Sequence, residues 1–258
     1  MRHLSRALLA TAALVLAAPA SAEQGVSIVE ANVKQLNAGD TVSVSKIPDG
    51  VYLRAVNDPD DTIWERLPEY RVRLNPAPPV HESVALRTKD DDTGQDVFLT
   101  IARTSKRFYL RMRWRDATPN TVTKSNRFRD GAAVQFSLSD DQTSYIMGDG
   151  PEAPVNIWYW RSDRGAVQNL AAGGPGSTTM LEAQPVTGAA KYFDKGSPKA
   201  NEWAVVMSRA IAIEGKHQVS FKRGKVPMAF ALWQGAKNQR DGNKIVSDGW
   251  ILVDLKGG

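Results

Sequence analysis

The chain has 258 residues, with 33 Lys or Arg against 28 Asp or Glu and no cysteine. The missing cysteines exclude disulfides, thiolate-ligated iron–sulfur clusters and covalent C-x-x-C-H haem attachment, so stability has to come from a packed core. A net charge of +5 is too mild to argue for nucleic acid. The basic run "RFYLRMRWR" alternates with apolar residues, as one face of a strand does.

The first residues read as an address. Arg2 and Arg6 flank a short apolar stretch, "ALLATAALVLAAPA", and Ala20-Ser21-Ala22 has the small residues of a cleavage site. A cleaved signal peptide over 1–22, without a twin-arginine pair, predicts export to a bacterial periplasm. Losing the two arginines leaves 31 basic residues and a net charge of +3. The stretch is too short and alanine-rich for a membrane span, and no other long apolar run follows.

Strand patterns dominate the rest. "TVSVSKI" (41–47) and "VYLRAV" (51–56) come first, and the Pro-rich "YRVRLNPAPPVHE" (70–82) reads as a surface loop. "DVFLTIA" (96–102) and "RFYLRMRWRD" (107–116) read as paired strands. In the second, Phe108, Leu110, Met112 and Trp114 share the buried face, while Tyr109, Arg111, Arg113 and Arg115 face solvent. Further strands are expected at 132–139, 155–161, 202–211, 226–235 and 248–255. The Gly-rich segment 169–199 reads as one long loop. The expected fold is all-β: one antiparallel β-sandwich domain over 23–258, with long loops and few short helices.

Catalytic machinery is hard to find. Beyond His3 in the leader, His81 and His217 sit in polar loops without metal-ligand spacing. "DPDD" (58–61) and "DDD" (90–92) could be calcium loops but read more simply as solvated turns. No nucleophile elbow or phosphate-cradling loop is present, and no carboxylate pair is singled out. The chain does not read as a hydrolase.

Two stretches stand out. In "SYIMGDGPEAPVNIWYW" (144–160), Met147 precedes Gly148 and Gly150, where backbone can approach a bulky planar group, and Trp158 and Trp160 offer a pocket wall. A methionine at such a rim is most often core, yet its soft, neutral thioether also suits haem iron. The second stretch, "FALWQGAKNQRDGNKIVSDGW" (230–250), reads alone as a hairpin with solvated charges.

Together with "EWAVVMSRAI", these blocks resemble the haem b-binding γ subunits of periplasmic molybdenum enzymes of the dimethyl-sulfoxide-reductase superfamily. That group includes ethylbenzene and dimethylsulfide dehydrogenases and the selenate and chlorate reductases. The similarity runs from about Asp96 to Leu255 and is looser before it. It implies a β-sandwich holding one non-covalent haem b between a methionine and a lysine. By motif these are Met147 and Lys244, with Lys237 as the alternative lysine; Met207 and Met228 lie within strands and are assigned to the core. It also implies a molybdopterin α subunit, an iron–sulfur β subunit and a soluble c-type cytochrome as partners. A lysine ligand must lose its proton, which from a pKa near 10.4 costs roughly 4.6 kcal/mol at pH 7. The competing readings are a secreted carbohydrate-binding sandwich, given seven tryptophans, and a solitary haem b protein.

Overall fold

The computed structural model describes residues 33–50, 57–86, 93–125, 127–139, 143–197 and 199–256. The expected leader, the strand expected at 51–56 and the "DDD" cluster lie outside the described residues. The strands are β1 Lys34–Leu36, β2 Thr41–Ser43, β3 Ser45–Lys46, β4 Tyr70–Pro76, β5 Gln95–Arg103, β6 Arg107–Arg115, β7 Gly131–Ser137, β8 Val155–Arg161, β9 Gln168–Ala172, β10 Thr179–Met180, β11 Thr187–Phe193, β12 Glu202–Ala210, β13 Lys225–Trp233, β14 Ile245–Ser247 and β15 Ile251–Asp254. The one α-helix among the described residues, Glu82–Ala85, is a single turn, and 3₁₀ turns cover Thr62–Arg66 and Gly235–Lys237. None of these helices is long and apolar enough to cross a membrane.

The strands form an all-β sandwich. Its main path is antiparallel, in the order β10-β9-β8-β7-β13-β14-β4-β5-β6-β12-β11. β14 pairs with both β13 and β4 and so joins the two layers. Three short strands near the N-terminus depart from the expected antiparallel pattern: β1, β2 and β3 pair in parallel with β4, β15 and β5.

The core between the layers is built from alternate residues, as the pleat requires. Phe108, Leu110, Met112 and Trp114 of β6 meet Trp158 and Trp160 of β8. Edge-to-face pairs bridge the layers, Phe108 with Trp158 at 6.2 Å and Trp114 with Trp160 at 6.1 Å between centroids. Such pairs add roughly 0.5–1.5 kcal/mol each beyond area burial. Met207 and Met228 are fully buried in this core.

Several sequence expectations need correction. The second face of β6 is covered: Tyr109, Arg111 and Arg113 are buried, and Arg115 alone stays exposed. The segment leading to β4 lies over it. Trp64 packs edge-on to Tyr109 at 6.3 Å, and Arg111 donates to the Pro59 carbonyl at 3.0 Å. Arg113 binds both oxygens of Glu69, at 3.1 and 2.8 Å, and reaches Glu202 at 2.5 Å. "DPDD" is a structural turn, in which Asp61 accepts from the Ile63 amide and Asp60 pairs with Lys191 and Lys199.

The expected loop over 70–82 contains β4, whose last residue, Pro76, ends it where no ladder donor is needed. The expected loop over 169–199 contains β9, β10 and β11. There Asn156 donates to Asn169 at 2.8 Å, joining β8 to β9 by amides instead of apolar side chains. Gly188 lies so close to β12 that a Cβ would meet the Val206 carbonyl oxygen at 2.6 Å.

A buried carboxyl pair closes one end of the sandwich. Asp130 accepts from the amides of Asn120 (2.6 Å) and Gly235 (2.9 Å) and from the Trp203 indole (3.1 Å). Asp116 accepts from the Thr118 amide, and its second oxygen, Oδ2, has no donor. Burial and then the Asp130 charge push Asp116 up to about 7, against the pull of Lys237, so Asp116 holds a proton toward Asp130. Its unfolded value is near 3.8. The folded state therefore binds the extra proton between these values, and stability falls as pH rises through that window. Asp116→Asn is accordingly expected to raise the melting temperature at pH 8, with the advantage shrinking by pH 5. Parallel melting curves for variant and wild type across that range would contradict the shared proton.

Candidate functional site

The alternation that buries Trp158 and Trp160 turns Ile157 and Tyr159 to the outer face of the same layer. This reverses the expectation for the tryptophans, which build the core and do not wall the site. Beside Ile157 and Tyr159, the outer face carries Ala133 of β7 and Ala229 and Ala231 of β13. These alanines leave a low floor, and loops on both sides raise walls around a cleft of about 430 Å³. That volume is in the usual range for cofactor and ligand sites, about 300–1,000 Å³.

One wall is the loop that carries Met147. Trp250 donates to the Thr143 carbonyl at 2.6 Å, and Gln135 on the floor donates to the Tyr145 carbonyl. The turn closes with Gly148 N to Ser144 O at 3.0 Å, and the Gly174 amide clamps the Met147 carbonyl at 2.8 Å. Met147 itself has φ +63°, a left-handed conformation that costs a non-glycine residue roughly 1–2 kcal/mol. Gly148 is needed as glycine: its φ is +90°, and a Cβ would meet the Ala153 carbonyl oxygen at 2.9 Å.

The opposite wall is the loop from β13 to β14, which ends at Lys244. Trp233 donates to the Asp241 carbonyl at 3.0 Å, and the Ala77 amide donates to Lys244 O at 2.9 Å. The Lys244 ammonium lies 5.1 Å from the centre of the Trp233 ring and 3.6 Å from the sulfur of Met147. Two side chains 97 residues apart in sequence thus touch across the cleft. Packed protein surrounds the ammonium while the cleft keeps the residue partly open. Burial, with no carboxylate offsetting it, lowers its pKa from 10.5 to about 8.

Lys237 is elsewhere. It is exposed at the end of the 3₁₀ turn, close enough to act on Asp116, and it does not line the cleft. His81 and His217 do not line it either. Among the described residues, no group of three or more His, Asp or Glu could hold a metal ion. Sequence reasoning missed Tyr159, Trp233 and Arg161 as lining residues, together with the alanine floor. Alanines at alternate positions between large residues, in "GAAVQF" and "MAFALW", were the available signal.

The ethylbenzene dehydrogenase family model matches residues 61–185. The γ subunit of dimethylsulfide dehydrogenase from Rhodovulum sulfidophilum is 54% identical over 248 residues, covering 96% of this chain and 94% of that one. This chain belongs to the ethylbenzene dehydrogenase family. The likeness runs well beyond the Asp96–Leu255 block seen in the sequence motifs. The chlorate reductase γ subunit of Ideonella dechloratans is 33% identical over 195 residues, 74% of this chain and 77% of that one. A Haloferax mediterranei protein, provisionally named a respiratory nitrate reductase heme subunit, is also 33% identical, over 74% of this chain and 65% of its own length. In this member of the family, the match to the family model includes Met147 and stops short of Lys244.

Burying an ammonium has a measurable consequence. Below pH 8 Lys244 is charged in both folded and unfolded chains, so the desolvation cost is fully present. It is relieved as pH rises from about 8 toward 10.5. Lys244→Met is expected to raise the melting temperature of the ligand-free protein at pH 7, with a smaller gain at pH 10. Equal gains at both pH values would mean that the lysine is not buried in the charged form.

Proposed function

We propose that this chain is an electron-transfer subunit that holds one non-covalent haem b, with Met147 and Lys244 as its axial ligands. The observation that carries this reading is the meeting of Met147 sulfur and Lys244 nitrogen, 3.6 Å apart, inside a cleft floored by small apolar side chains. The donor set fits: one soft neutral sulfur and one amine, with no acidic cluster among the described residues competing for a hard cation. The two side chains are unbranched and enter from opposite walls, so they can part to admit a group between them.

Bound there, the haem supplies a one-electron carrier. The chain's own contribution is ligation and exclusion of water. At a pKa of about 8, freeing the Lys244 amine at pH 7 costs on the order of 1 kcal/mol, several-fold less than for an exposed lysine. Met147 adds a neutral thioether, which favours the reduced state. Because the chain provides both ligands, no coordination position is left for a substrate, which suits transfer over catalysis. The names of the relatives, γ subunits of dimethylsulfide dehydrogenase and chlorate reductase and a heme subunit of a nitrate reductase, support a place in a heterotrimer. In that heterotrimer a molybdopterin α subunit carries the substrate chemistry. The chain relays electrons between an iron–sulfur β subunit and a soluble c-type cytochrome. Residues 1–22 are its cleaved export signal to the periplasm, and 23–258 its single domain.

The carbohydrate-binding alternative is poorly served by the geometry. Six of the seven tryptophans, Trp64, Trp114, Trp158, Trp160, Trp203 and Trp250, are buried, which leaves Trp233 as the one indole lining the cleft, with the Lys244 ammonium over its ring.

Loading the purified protein with haem should give a Soret band with a low-spin, six-coordinate spectrum. Met147→Ala and Lys244→Ala should each lose the six-coordinate form, and Lys237→Ala should keep it. Retention in Lys244→Ala with loss in Lys237→Ala would reassign the ligand. Failure of the chain to co-purify with an iron–sulfur subunit from its host would favour a solitary haem protein.

A further inference from the structure

The cleft has a charged end that the two proposed ligands do not explain. Among its lining residues the basic ones are Lys244 and Arg161. Their relative placement follows from the strand register. Arg161 of β8 lies opposite Gly131 of β7, and Gly131 lies opposite Trp233 of β13. Leu232 pairs with Ile245, so Lys244 falls beside Trp233, in keeping with its 5.1 Å contact to that ring. Arg161 and Lys244 therefore share one row across the layer, three strand spacings apart, or about 14 Å between backbones. Gly131, between them, has no side chain, and Tyr159 and Trp233 close edge-to-face over it at 5.2 Å. The floor away from this row is mostly apolar, Ile157, Leu170, Ala133, Ala229 and Ala231, with Gln135 turned to the Tyr145 carbonyl.

Arg161 is held in place without being used up. Asp163 grips it at two nitrogens, Nε at 2.5 Å and Nη2 at 3.0 Å, and leaves Nη1 uncommitted to that carboxylate. Arg129 also pairs with Asp163, at 2.9 Å. Two guanidinium groups on one carboxylate leave this cluster net positive, and Asp241, the one carboxylate among the lining residues, pairs with Arg240 at 3.8 Å. A planar guanidinium fixed by a carboxylate is well arranged to take a second carboxylate.

From this we infer that Arg161 receives a propionate carboxylate of the haem, and that the Arg129–Asp163–Arg161 cluster fixes which edge of the macrocycle points to the 161–164 turn. The inference rests on the haem reading above. Asp163 is a positioning residue: it holds Arg161 at the cleft. The chemistry is that of an amphipathic guest, a flat apolar body over the alanine floor with its carboxylates at the one rim where the chain keeps a cation.

The test is a cycle in protein and ligand, read as dissociation constants from Soret titrations. The probes are haem and haem dimethyl ester, whose propionates carry no charge. Wild type is expected to bind haem about tenfold or more tighter than the diester. Arg161→Gln should lose about that factor for haem and little for the diester, and Arg161→Lys should recover part of it. If wild type binds both porphyrins equally, the assignment is overturned, and that result does not depend on whether any variant folds. An equal loss for both porphyrins in Arg161→Gln would likewise overturn it, because it would mark a purely structural role. If neither porphyrin gives a Soret shift with wild type, the haem reading itself fails and this inference falls with it.

Discussion

The site depends on a layer buried on both faces. Strands β8, β7 and β13 present large side chains inward (Trp158, Trp160, Val134, Phe136, Phe230 and Leu232) and small or cleft-shaping ones outward. With a side-chain period of two, a one-residue slip would put the β8 indoles into the cleft, and in β7 or β13 would put a cleft-floor alanine into the core. The core therefore sets the register of the cleft. Trp114, Trp160 and Trp203 lock together with centroid separations of 5.1 to 6.5 Å. Phe108, Phe136, Trp158 and Phe221 form a second such cluster. Close packing of this kind leaves the β8 ladder little freedom, and the outer positions of Ile157 and Tyr159 follow from it.

On that rigid floor the reactive groups are delivered by loops, at some cost. Met147 and Asp241 both adopt left-handed backbone conformations, and Lys244 gives up hydration. Each loop is tied to the sheet by main-chain bonds and aromatic donors: Trp250 to Thr143 on one side, Trp233 to Asp241 on the other. The pattern is that of a site which stores modest strain in its walls and offsets it with a large core. The carboxyl pair Asp116–Asp130 belongs to the same arrangement. Asp130 binds the Gly235 amide and so fixes the start of the loop that ends at Lys244.

What the sequence disclosed, and what it hid, follows from whether the signal was local. β8 was legible to the residue as 155–161, and β6 nearly so, because bulky side chains alternate without interruption. β4, β9 and β11 were read as loops. Their polar and small residues are stabilised by partners distant in sequence, such as Asn156 with Asn169, and by glycine's close approach at Gly188. Alternation showed that β8 and β6 have two faces. It could not show that the second face of β6 would be covered by a segment 44 to 52 residues upstream, or which face of β8 met the core. The motif containing Met147 was visible as a glycine-bounded turn. Which of Lys244 and Lys237 lines the cleft was not, because both sit in one polar loop. Only the path of that loop separates them, turning Lys237 toward Asp116 and Lys244 into the cleft.

On the proposed haem reading, a division of labour between the two cations of the cleft has a chemical reason. A ligand to iron must lose its proton, and lysine can be brought to that point by burial, as its pKa of about 8 shows. Arginine cannot be deprotonated in a protein, so at the ligand position it would remain a charge and bring no lone pair. At the rim the requirements would invert: the charge would have to persist whatever happened at the proposed iron, and a guanidinium held by Asp163 keeps it. With Lys244 as a neutral amine, Arg161 would be the one cation left among the lining groups, and the one lining carboxylate, Asp241, pairs with Arg240 at 3.8 Å. A guest with an apolar body and an anionic edge could then lie in the cleft in one orientation, and under the proposed electron-transfer role that orientation would fix which edge of the carrier faces its donor and which its acceptor.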